Sequence, residues 1–358
     1  MLATLAASDA AVSGMFDSSF ALCANGRALE EIRAAGGRVE SLGDVRLSRP
    51  TTVWEARARL RQFIQHGRPD IVICHAPWAY ALFAYTARRG GARLVWWQHD
   101  AATGRTWIER WARGTRADLV VSNSRWTAQS ASAIQPGVPL EVIYCPVPAP
   151  PPVTAQKRDA LRAALSTPAS DLVVLCAARL EPWKGQLGLI RAFSRLQDPP
   201  GHTTLWIAGG AQRPHEVKYL RTLRREAEAH GVADQIRWLG ERRDVPCLMA
   251  SADIFCQPNL TAEPFGIAFA EALRSGIPVV TSDMGGAPEI VDSQCGRLVP
   301  PNDDAALVSA LRDLLGDAVL RRSLGSAGPA HAASRCDPST VLPRLAAALA
   351  GLTTKVAA

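Results

Sequence analysis

The chain contains few of the sequence features that mark secreted, membrane-spanning or zinc-binding proteins. Its eight cysteines show no Cys-x-x-Cys spacing, and several lie within apolar runs, which favours buried free thiols over disulfides or a zinc site. The first residues lack the basic start and long apolar core of a signal peptide. The longest apolar run, residues 71–87, is interrupted by His75 and Pro77 and is short for a bilayer span. We therefore expect a cytoplasmic protein.

The chain also has only a small excess of positive charge, with a net charge of +7 over 358 residues. Residues 1–148 carry 17 basic and 12 acidic side chains, a difference of +5, and the remainder carry 23 and 21, a difference of +2. This excess is too small and too dispersed to predict a nucleic-acid partner. It is compatible with a merely solvated surface or with an anionic partner, and it leaves open a peripheral association with the inner face of a membrane.

Short apolar runs alternate with amphipathic segments along most of the chain, which is typical of parallel sheets covered by helices. In the second half the predicted strands are Leu172–Ala177, Thr204–Ala208, Ile236–Leu239, Ile254–Gln257, Pro278–Thr281 and Arg297–Val299. The predicted helices there are Gln186–Leu196, Pro214–Ala229, Asp244–Ala250, Ile267–Ser275, Asp304–Leu315 and Thr340–Leu352. The first half repeats the pattern, with predicted elements at Phe20–Cys23, Ala28–Ala35, Val39–Leu42, Trp54–Gln65, Ile71–Cys74, Leu94–Trp97 and Leu119–Val121.

The segment Cys145–Pro152 is too rich in proline for a helix or a strand and predicts a linker. We therefore expect an α/β protein with two doubly wound, Rossmann-like domains that face each other across a cleft. The predicted domains span residues 1–148 and 149–336. A C-terminal helix within 337–358 is expected to pack back on the first domain. Such sheets bind ligands at the carboxyl ends of their strands.

The most informative segment runs from Glu263 to Val291, where Pro264-Phe265-Gly266 precedes an apolar helix. The first N–H groups of a helix are unpaired and carry the positive end of its dipole, so they suit a phosphate. Glu263 and Glu271, eight positions apart, could accept hydrogen bonds from hydroxyls on either side of that phosphate. A sugar nucleotide has this arrangement of groups, although two solvated glutamates on an amphipathic helix remain the alternative.

Further candidate residues follow other predicted strands. Arg179 and Lys184 share one loop and could hold an anionic leaving group from two sides, although an ordinary basic loop is the alternative. Gly209-Gly210 and Gly285-Gly286 would let the backbone approach a ligand, or would simply form turns. His99 follows an apolar strand in the first half and could reach a substrate, and His75 has a weaker case.

Together these residues resemble the family 4 glycosyltransferases, which have the GT-B fold. The resemblance is carried by the Glu-x7-Glu segment of Glu263 and Glu271, by Arg179 with Lys184, and by the paired glycines. It implies retaining, metal-independent transfer of a sugar from a nucleoside-diphosphate donor to a glycan, lipid-linked or small-molecule acceptor. The sequence also lacks a cluster of Asp-x-Asp type beside these residues, which fits fixed cations in place of a metal ion.

The same resemblance implies a role for each candidate residue. Arg179 and Lys184 would neutralise the leaving diphosphate, helped by the N–H groups near Phe265, Gly266 and Ile267. Glu263 would hold the sugar hydroxyls and Glu271 the ribose of the nucleotide. Gly209-Gly210 and Gly285-Gly286 would line the donor site, and His99 would contact the transferred sugar or orient the acceptor. No other cofactor is implied.

The chain departs from the family pattern at its start. The family usually opens with a strand and a glycine-rich loop, whereas residues 1–7 resemble only the end of the helix that follows that loop. We therefore expect a first domain that lacks its opening strand, and a non-catalytic sugar-nucleotide-binding subunit remains the alternative function. A glycosidase is disfavoured by the placement of the two glutamates. A nicotinamide-dependent dehydrogenase is disfavoured because no Gly-x-Gly-x-x-Gly follows an early strand.

Overall fold

The computed structural model describes residues 2–11, 15–196 and 203–353, and it divides the chain into two compact units. The first unit comprises residues 1–147 together with 336–358, and the second comprises residues 148–335. The elements predicted between Leu172 and Leu315 therefore fall in a different unit from those of the first half, whereas the predicted helix Thr340–Leu352 falls in the first unit. Each unit is described by itself below.

The first unit begins with α1 (Leu2–Ala11) and then alternates strands with helices. Its elements are β1 (Ser19–Leu22), α2 (Arg27–Ala34), β2 (Arg38–Ser41), α3 (Pro50–Gly67), β3 (Ile71–His75), α4 (Pro77–Arg89), β4 (Arg93–Gln98), α5 (Trp107–Ala112), β5 (Leu119–Ser122), α6 (Arg125–Ala128) and β6 (Leu140–Val142). Among the described residues, β1 and β2 form a parallel pair, and β3-β4-β5-β6 form a parallel four-stranded sheet. Consecutive parallel strands need helical crossovers, which explains why a helix follows almost every strand.

The second unit is a six-stranded parallel sheet with helices between its strands. Its elements are α7 (Ala155–Ala164), β7 (Leu172–Ala177), α8 (Gln186–Ser194), β8 (Thr203–Ala208), α9 (Pro214–Ala229), β9 (Ile236–Gly240), α10 (Val245–Ser251), β10 (Ile254–Gln257), α11 (Ile267–Arg274), β11 (Val279–Ser282), α12 (Ala287–Ile290), β12 (Gly296–Val299), α13 (Asp304–Gly316) and α14 (Ala318–Cys336). The strand order β12-β11-β10-β7-β8-β9 reverses direction between β7 and β10. Open sheets of this order bind ligands in the crevice at that reversal.

The final helix, α15 (Pro338–Thr353), belongs to the first unit although it follows the second along the chain. Its buried side chains Val341, Leu345 and Leu349 pack against β4 and β5, where Trp97 is fully buried. Burying a leucine or valine side chain contributes about 1.5–3 kcal/mol, so this helix is an integral part of the core of the unit.

None of the helices in the described ranges combines the length and the apolar character that crossing a bilayer requires. The cysteines of the described residues are free thiols, and six of the eight are buried. Burial raises the pKa of the Cys176 thiol to about 12, so this side chain serves as an apolar core residue and not as a nucleophile.

Candidate active site

The candidate site of the second unit lies where the loops that follow β7 and β10 meet. These two strands are adjacent and parallel, so their carboxyl ends lie at the same edge of the sheet. The β7 loop carries Arg179 and Lys184, and the β10 loop carries Glu263. The chain separates Lys184 from Glu263 by 79 positions, and the strand order brings them together.

Lys184 and Glu263 form a close ion pair at this point. The Lys184 Nζ atom donates to the Glu263 Oε2 atom at 2.6 Å, and the two side chains are only 11% and 17% exposed. The Asn259 amide donates to the same carboxylate oxygen at 3.1 Å. The ammonium also lies 3.9 Å from the centre of the Trp183 ring. Charges that are mostly shielded from water interact strongly, so this pair presents a preorganised cation and a hydrogen-bond acceptor side by side.

Gly185 explains how the two loops approach closely enough to place that pair. Its φ of +76° lies in the left-handed region, and a Cβ atom there would lie 1.8 Å from the Pro258 carbonyl oxygen. The Leu260 N–H donates to the Trp183 carbonyl at 2.7 Å, which holds the same two loops together. Glycine is the residue that accepts both this backbone conformation and this contact.

Arg179 lies on the same loop but has a different partner. Its Nη1 atom donates to the Glu181 carboxylate at 2.8 Å, and its side chain is 64% exposed. The Trp183 indole donates to the other oxygen of Glu181 at 2.6 Å, and the Gln186 amide donates to the Arg179 carbonyl at 2.8 Å. The structure therefore fixes the backbone of this arginine and leaves its guanidinium accessible to an anion.

The paired glycines at 285–286 pack directly on the loop of Glu263. Glu263 and Gly285 form an isolated parallel bridge, and the Gly286 N–H donates to the Glu263 carbonyl at 2.7 Å. A Cβ atom on Gly285 would lie 2.3 Å from that carbonyl, and one on Gly286 would lie 2.5 Å from the Pro264 carbonyl. These glycines thus hold the Glu263 loop in place through close backbone contact.

Gly266 caps the amino end of α11 with a φ of +98°, and a Cβ atom there would meet the Phe269 ring at 2.3 Å. On either side of it, Phe265 is buried and Ile267 is 37% exposed. Glu271 lies one turn further into the helix, and burial raises the pKa of its carboxyl. The helix therefore begins directly after the loop of Glu263, as the sequence predicts, and the use of its amino end as a phosphate site stays a prediction.

Gly209 and Gly210 follow β8, the neighbour of β7 on its other side. A Cβ atom on Gly209 would lie 2.2 Å from the Ala178 carbonyl, which immediately precedes Arg179. A Cβ atom on Gly210 would lie 3.2 Å from the Cβ atom of Glu241. Gly209 is thus required by the contact between two loops, while Gly210 leaves room for a ligand or for the Glu241 side chain.

His99, in the first unit, has a partner to which sequence reasoning gave little weight. His75 Nδ1 and His99 Nε2 are 2.8 Å apart, so a ring N–H of one histidine donates to the other. The two rings stack on each other and on Trp97. Burial lowers the pKa of His75 to about 3 and that of His99 to about 4, so both are neutral at physiological pH. His75 ends β3 and His99 follows β4, so their positions at the ends of two consecutive predicted strands are the sequence signal that could have paired them.

Two family models match this chain. Residues 157–331 match the model for glycosyl transferases group 1, and residues 18–149 match the model for glycosyltransferase family 4. The chain is 34% identical over 316 residues to the GDP-mannose-dependent alpha-(1-6)-phosphatidylinositol monomannoside mannosyltransferase of Mycolicibacterium smegmatis, covering 82% of this chain and 80% of the relative. The enzyme with the same description from Mycobacterium tuberculosis is 31% identical over 344 residues, covering 89% of this chain and 85% of the relative.

Solved structures of similar proteins extend the comparison to almost the whole fold. A crystal structure of Anabaena HepE with UDP and glucose has a TM-score of 0.83 and 25% identity, covering 97% of this chain and 95% of HepE. HepE in complex with UDP-glucose gives 26% identity and the same TM-score. The chain belongs to the family 4, or group 1, glycosyltransferases, with the GT-B fold of two Rossmann-like parallel sheets. It is accordingly a retaining glycosyltransferase that uses a nucleotide-sugar donor.

The comparisons do not support one expectation from the sequence. We expected the first domain to lack an opening strand and a glycine-rich loop. The alignment with HepE leaves only a few per cent of either chain unmatched, since it covers 97% of one and 95% of the other. The expectation came from the absence of a familiar glycine pattern in residues 1–7, and the described residues do open with the helix α1 and not with a strand.

Proposed function

We propose that this glycosyltransferase moves a hexose from a nucleoside-diphosphate hexose to a hydroxyl group of a lipid-linked saccharide, with GDP-mannose as the donor. The observation that carries the proposal is the similarity to the Mycolicibacterium smegmatis mannosyltransferase, which spans about four fifths of both chains. That relative depends on GDP-mannose and acts on a phosphatidylinositol glycolipid. Transfer to such an acceptor would take place at a membrane surface, with this protein as a peripheral enzyme.

In this proposal Lys184 and Arg179 neutralise the diphosphate of the donor. When the bond between the anomeric carbon and the diphosphate oxygen breaks, the diphosphate leaves with the electron pair and its negative charge grows. Cations and N–H groups already fixed around it stabilise that charge more than they stabilise the bound donor. The position of Lys184 at the reversal of strand order supports this role, as does the accessible guanidinium of Arg179. The first N–H groups of α11, near Phe265, Gly266 and Ile267, contribute in the same way.

Glu263 and Glu271 would bind hydroxyl groups on either side of the diphosphate. Glu263 already accepts hydrogen bonds from Lys184 and Asn259, so a sugar hydroxyl would join an existing network. Glu271 would accept from the ribose, and its burial makes an unpaired carboxylate there unfavourable until a ligand hydroxyl arrives. Gly209-Gly210 and Gly285-Gly286 would complete the donor site by keeping side chains out of it.

His99 would contact the transferred sugar or orient the acceptor. A neutral imidazole can donate one hydrogen bond and accept another, and the contact with His75 couples the two rings, since one of the two facing nitrogens carries a proton and the other accepts it. The acceptor hydroxyl forms the new bond to the anomeric carbon and loses its proton in the reaction. The configuration of that carbon is retained, as in the family.

A second donor is favoured by the structural comparison. HepE was solved with UDP-glucose, and its fold matches this chain over 98% of its length at 26% identity. UDP-glucose is therefore the candidate to test beside GDP-mannose. The core of the site is the same for both, because Lys184, Arg179 and the start of α11 would address the diphosphate that the two donors share.

The test has two stages with purified full-length protein. Thermal unfolding is measured with GDP-mannose, UDP-glucose and ADP-glucose, because a ligand that binds only the folded state raises the melting temperature. Transfer of labelled mannose to detergent-dispersed phosphatidylinositol mannoside is then measured with the stabilising donor. We expect stabilisation by GDP-mannose and a labelled lipid product. Stabilisation without any transfer or donor hydrolysis would favour a non-catalytic sugar-nucleotide-binding subunit.

A further inference from the structure

The first unit exposes three tryptophans on two neighbouring helices. Trp54 on α3 is 74% exposed, and Trp107 and Trp111 on α5 are 57% and 40% exposed. Tryptophan is the largest apolar side chain and is seldom left in water in such numbers on one face. The core of the unit does not need these tryptophans, because the side chains that α3 buries are others, among them Val53 and Leu60.

Stacking contacts join the two helices into one surface. The Arg57 guanidinium lies over the Trp111 ring at 5.4 Å from its centre, and the rings of Trp107 and Trp111 stack at 6.2 Å. Trp54, Arg57 and Arg61 are spaced three and four residues apart on α3, so they lie on one stripe of that helix. Trp107, Arg110 and Trp111 share a stripe of α5 for the same reason. We call Trp54, Arg57, Arg61, Trp107, Arg110 and Trp111 the tryptophan–arginine surface.

The charge of this region is strongly one-sided. Residues 50–67 contain three arginines and one glutamate, and residues 105–116 contain four arginines and one glutamate. Glu109 is buried, and its carboxylate accepts hydrogen bonds from Thr103 and Thr106. Glu55 is therefore the exposed acid in these two segments, and their seven arginines include the three that belong to the tryptophan–arginine surface. Such a surface is complementary to an array of phosphate groups.

The combination of exposed indoles with arginines fits the interface of a lipid bilayer. Tryptophan concentrates at the level of lipid headgroups, where its ring is half in hydrocarbon and its N–H is in water. Arginine can lay its apolar stem along the same boundary while its guanidinium binds lipid phosphates. A second copy of the chain is a poorer occupant, because a symmetric contact through this face would bring like charges together.

We propose that the tryptophan–arginine surface docks the first unit on a bilayer containing anionic lipids. This inference rests on the proposed lipid-linked acceptor and deepens it, because docking presents the enzyme to an acceptor whose headgroup lies at the same depth. Binding is by apolar insertion of the tryptophans together with attraction of the arginines. The binding to vesicles weakens as the salt concentration is raised, because salt screens the attraction between the arginines and the lipid phosphates.

The experiment measures co-sedimentation of the full-length protein with vesicles of phosphatidylcholine and with vesicles of phosphatidylcholine mixed with phosphatidylglycerol. We expect binding to the mixed vesicles, reduced by salt, with a blue shift of tryptophan fluorescence. The variant Trp54→Ser with Trp107→Ser and the variant Arg61→Glu with Arg110→Glu should each weaken it by about tenfold or more. The matched controls are Val319→Ser, an exposed apolar residue, and Arg221→Glu with Arg225→Glu on α9, and both should bind as the wild type does.

The outcomes separate this inference from the proposed function. Donor-induced thermal stabilisation and transfer to a detergent-dispersed acceptor should be unchanged in the surface variants, which also shows that they fold. Vesicle binding that is equal in the surface and control variants would overturn the inference even if lipid mannosylation is found. Vesicle binding that depends on this surface, with no transfer to any lipid, would leave the inference standing and reject the proposed acceptor. If a low concentration of an oligonucleotide displaced the protein from the vesicles, the surface would be assigned to nucleic acid and the inference would be contradicted.

Discussion

The two units place opposite kinds of chemistry at the carboxyl ends of their strands. The second unit holds a permanent ion pair, Lys184 with Glu263, beside an exposed guanidinium. The first unit holds two neutral imidazoles, His75 and His99, stacked on a buried tryptophan. Charge suits a site that must bind and release a diphosphate. Neutral groups that can both donate and accept suit a site that orients sugar or acceptor hydroxyls.

The largest effect should come from removing the cation of the charged site. Lys184→Ala should lower kcat/KM about 10²–10³-fold, because one fixed donor to a developing oxyanion is worth that much in other enzymes. It also leaves Glu263 as a half-buried carboxylate without its cation. Steady-state kinetics with the stabilising donor measure the effect, and Lys218→Ala on the exposed face of α9 serves as the control. Unchanged kinetics in Lys184→Ala would remove the lysine from the diphosphate site.

The variant Glu263→Gln distinguishes the role of Glu263 from that of Lys184. We expect turnover to fall about 10–100-fold, because an amide accepts hydrogen bonds from sugar hydroxyls less strongly than a carboxylate does. Binding of GDP alone should be equal or tighter, since Lys184 no longer shares its charge with a carboxylate. Isothermal titration with GDP measures this, with Glu228→Gln as the control. Weaker binding of GDP by Glu263→Gln would contradict the division of roles.

A substitution that pushes apart the loops after β7 and β10 should have an effect of intermediate size, on the free energy of unfolding. Gly185→Ala should destabilise folding by about 1–3 kcal/mol, because an L-residue is strained at a positive φ and its Cβ would meet the Pro258 carbonyl. Gly316→Ala is the control, since it has open space around it and no positive φ. Urea denaturation measures both. An equal stability of the two variants would show that the loops can separate at little cost.

The neutral site predicts a specific dependence of stability on pH. The folded-state pKa values of His75 and His99, about 3 and about 4, lie below the ordinary value of 6.5. The unfolded chain therefore binds protons that the folded chain does not, and stability falls as pH drops from about 6.5 toward those values. His75→Asn should lose less stability over that range, as measured by urea denaturation at a series of pH values. His215→Asn, an exposed histidine, should behave as the wild type does, and a wild-type stability that is flat across this range would contradict the burial effect.

The smallest effect should be that of Glu271→Gln. Its carboxyl is buried one turn into α11, and the proposal gives it contact only with the ribose, far from the bond that breaks. The Km for the donor should rise about tenfold or less with little change in kcat, as expected when binding is lost equally from ground and transition states. A fall in kcat comparable to that of Glu263→Gln would place Glu271 nearer the chemistry.

Sequence reasoning worked best where the backbone itself is constrained. Gly266, Gly285 and Gly209 each lie where a Cβ atom would collide with another atom, so a glycine in the sequence marked a real close contact. The strands β7 and β10 were predicted with their observed limits, because fully buried parallel strands appear as continuous apolar runs.

It worked less well where proline and glycine occur inside helices. α4 was missed because Pro77 was taken as an interruption, whereas it occupies the first turn, where a missing N–H costs nothing. α14 was missed because it contains Gly325, Gly328 and Pro329. A Cβ atom on Gly325 would lie 2.5 Å from the Gly276 carbonyl, so these glycines serve close packing of the helix. Packing of that kind depends on residues far away in the chain, so a local sequence pattern does not predict it.

The contacts that define the two sites were also beyond local pattern. Lys184 and Glu263 were both predicted, but their pairing follows from the order of β7 and β10 in the sheet, which spacing along the chain does not specify. His75 was undervalued for the same reason, because its contact with His99 arises from the pairing of β3 with β4. The sequence was sufficient to select these residues as candidates, but their contact partners could be identified only from the order of the strands in the fold.

The most direct measurement is the dissociation constant of GDP for the wild-type protein, Lys184→Ala and Lys218→Ala, determined by titration calorimetry at constant ionic strength. If Lys184 holds the diphosphate at the reversal of strand order, Lys184→Ala binds GDP at least about tenfold more weakly, while Lys218→Ala matches the wild type. Equal affinity in all three proteins would contradict the assignment of the diphosphate to this point of the sheet.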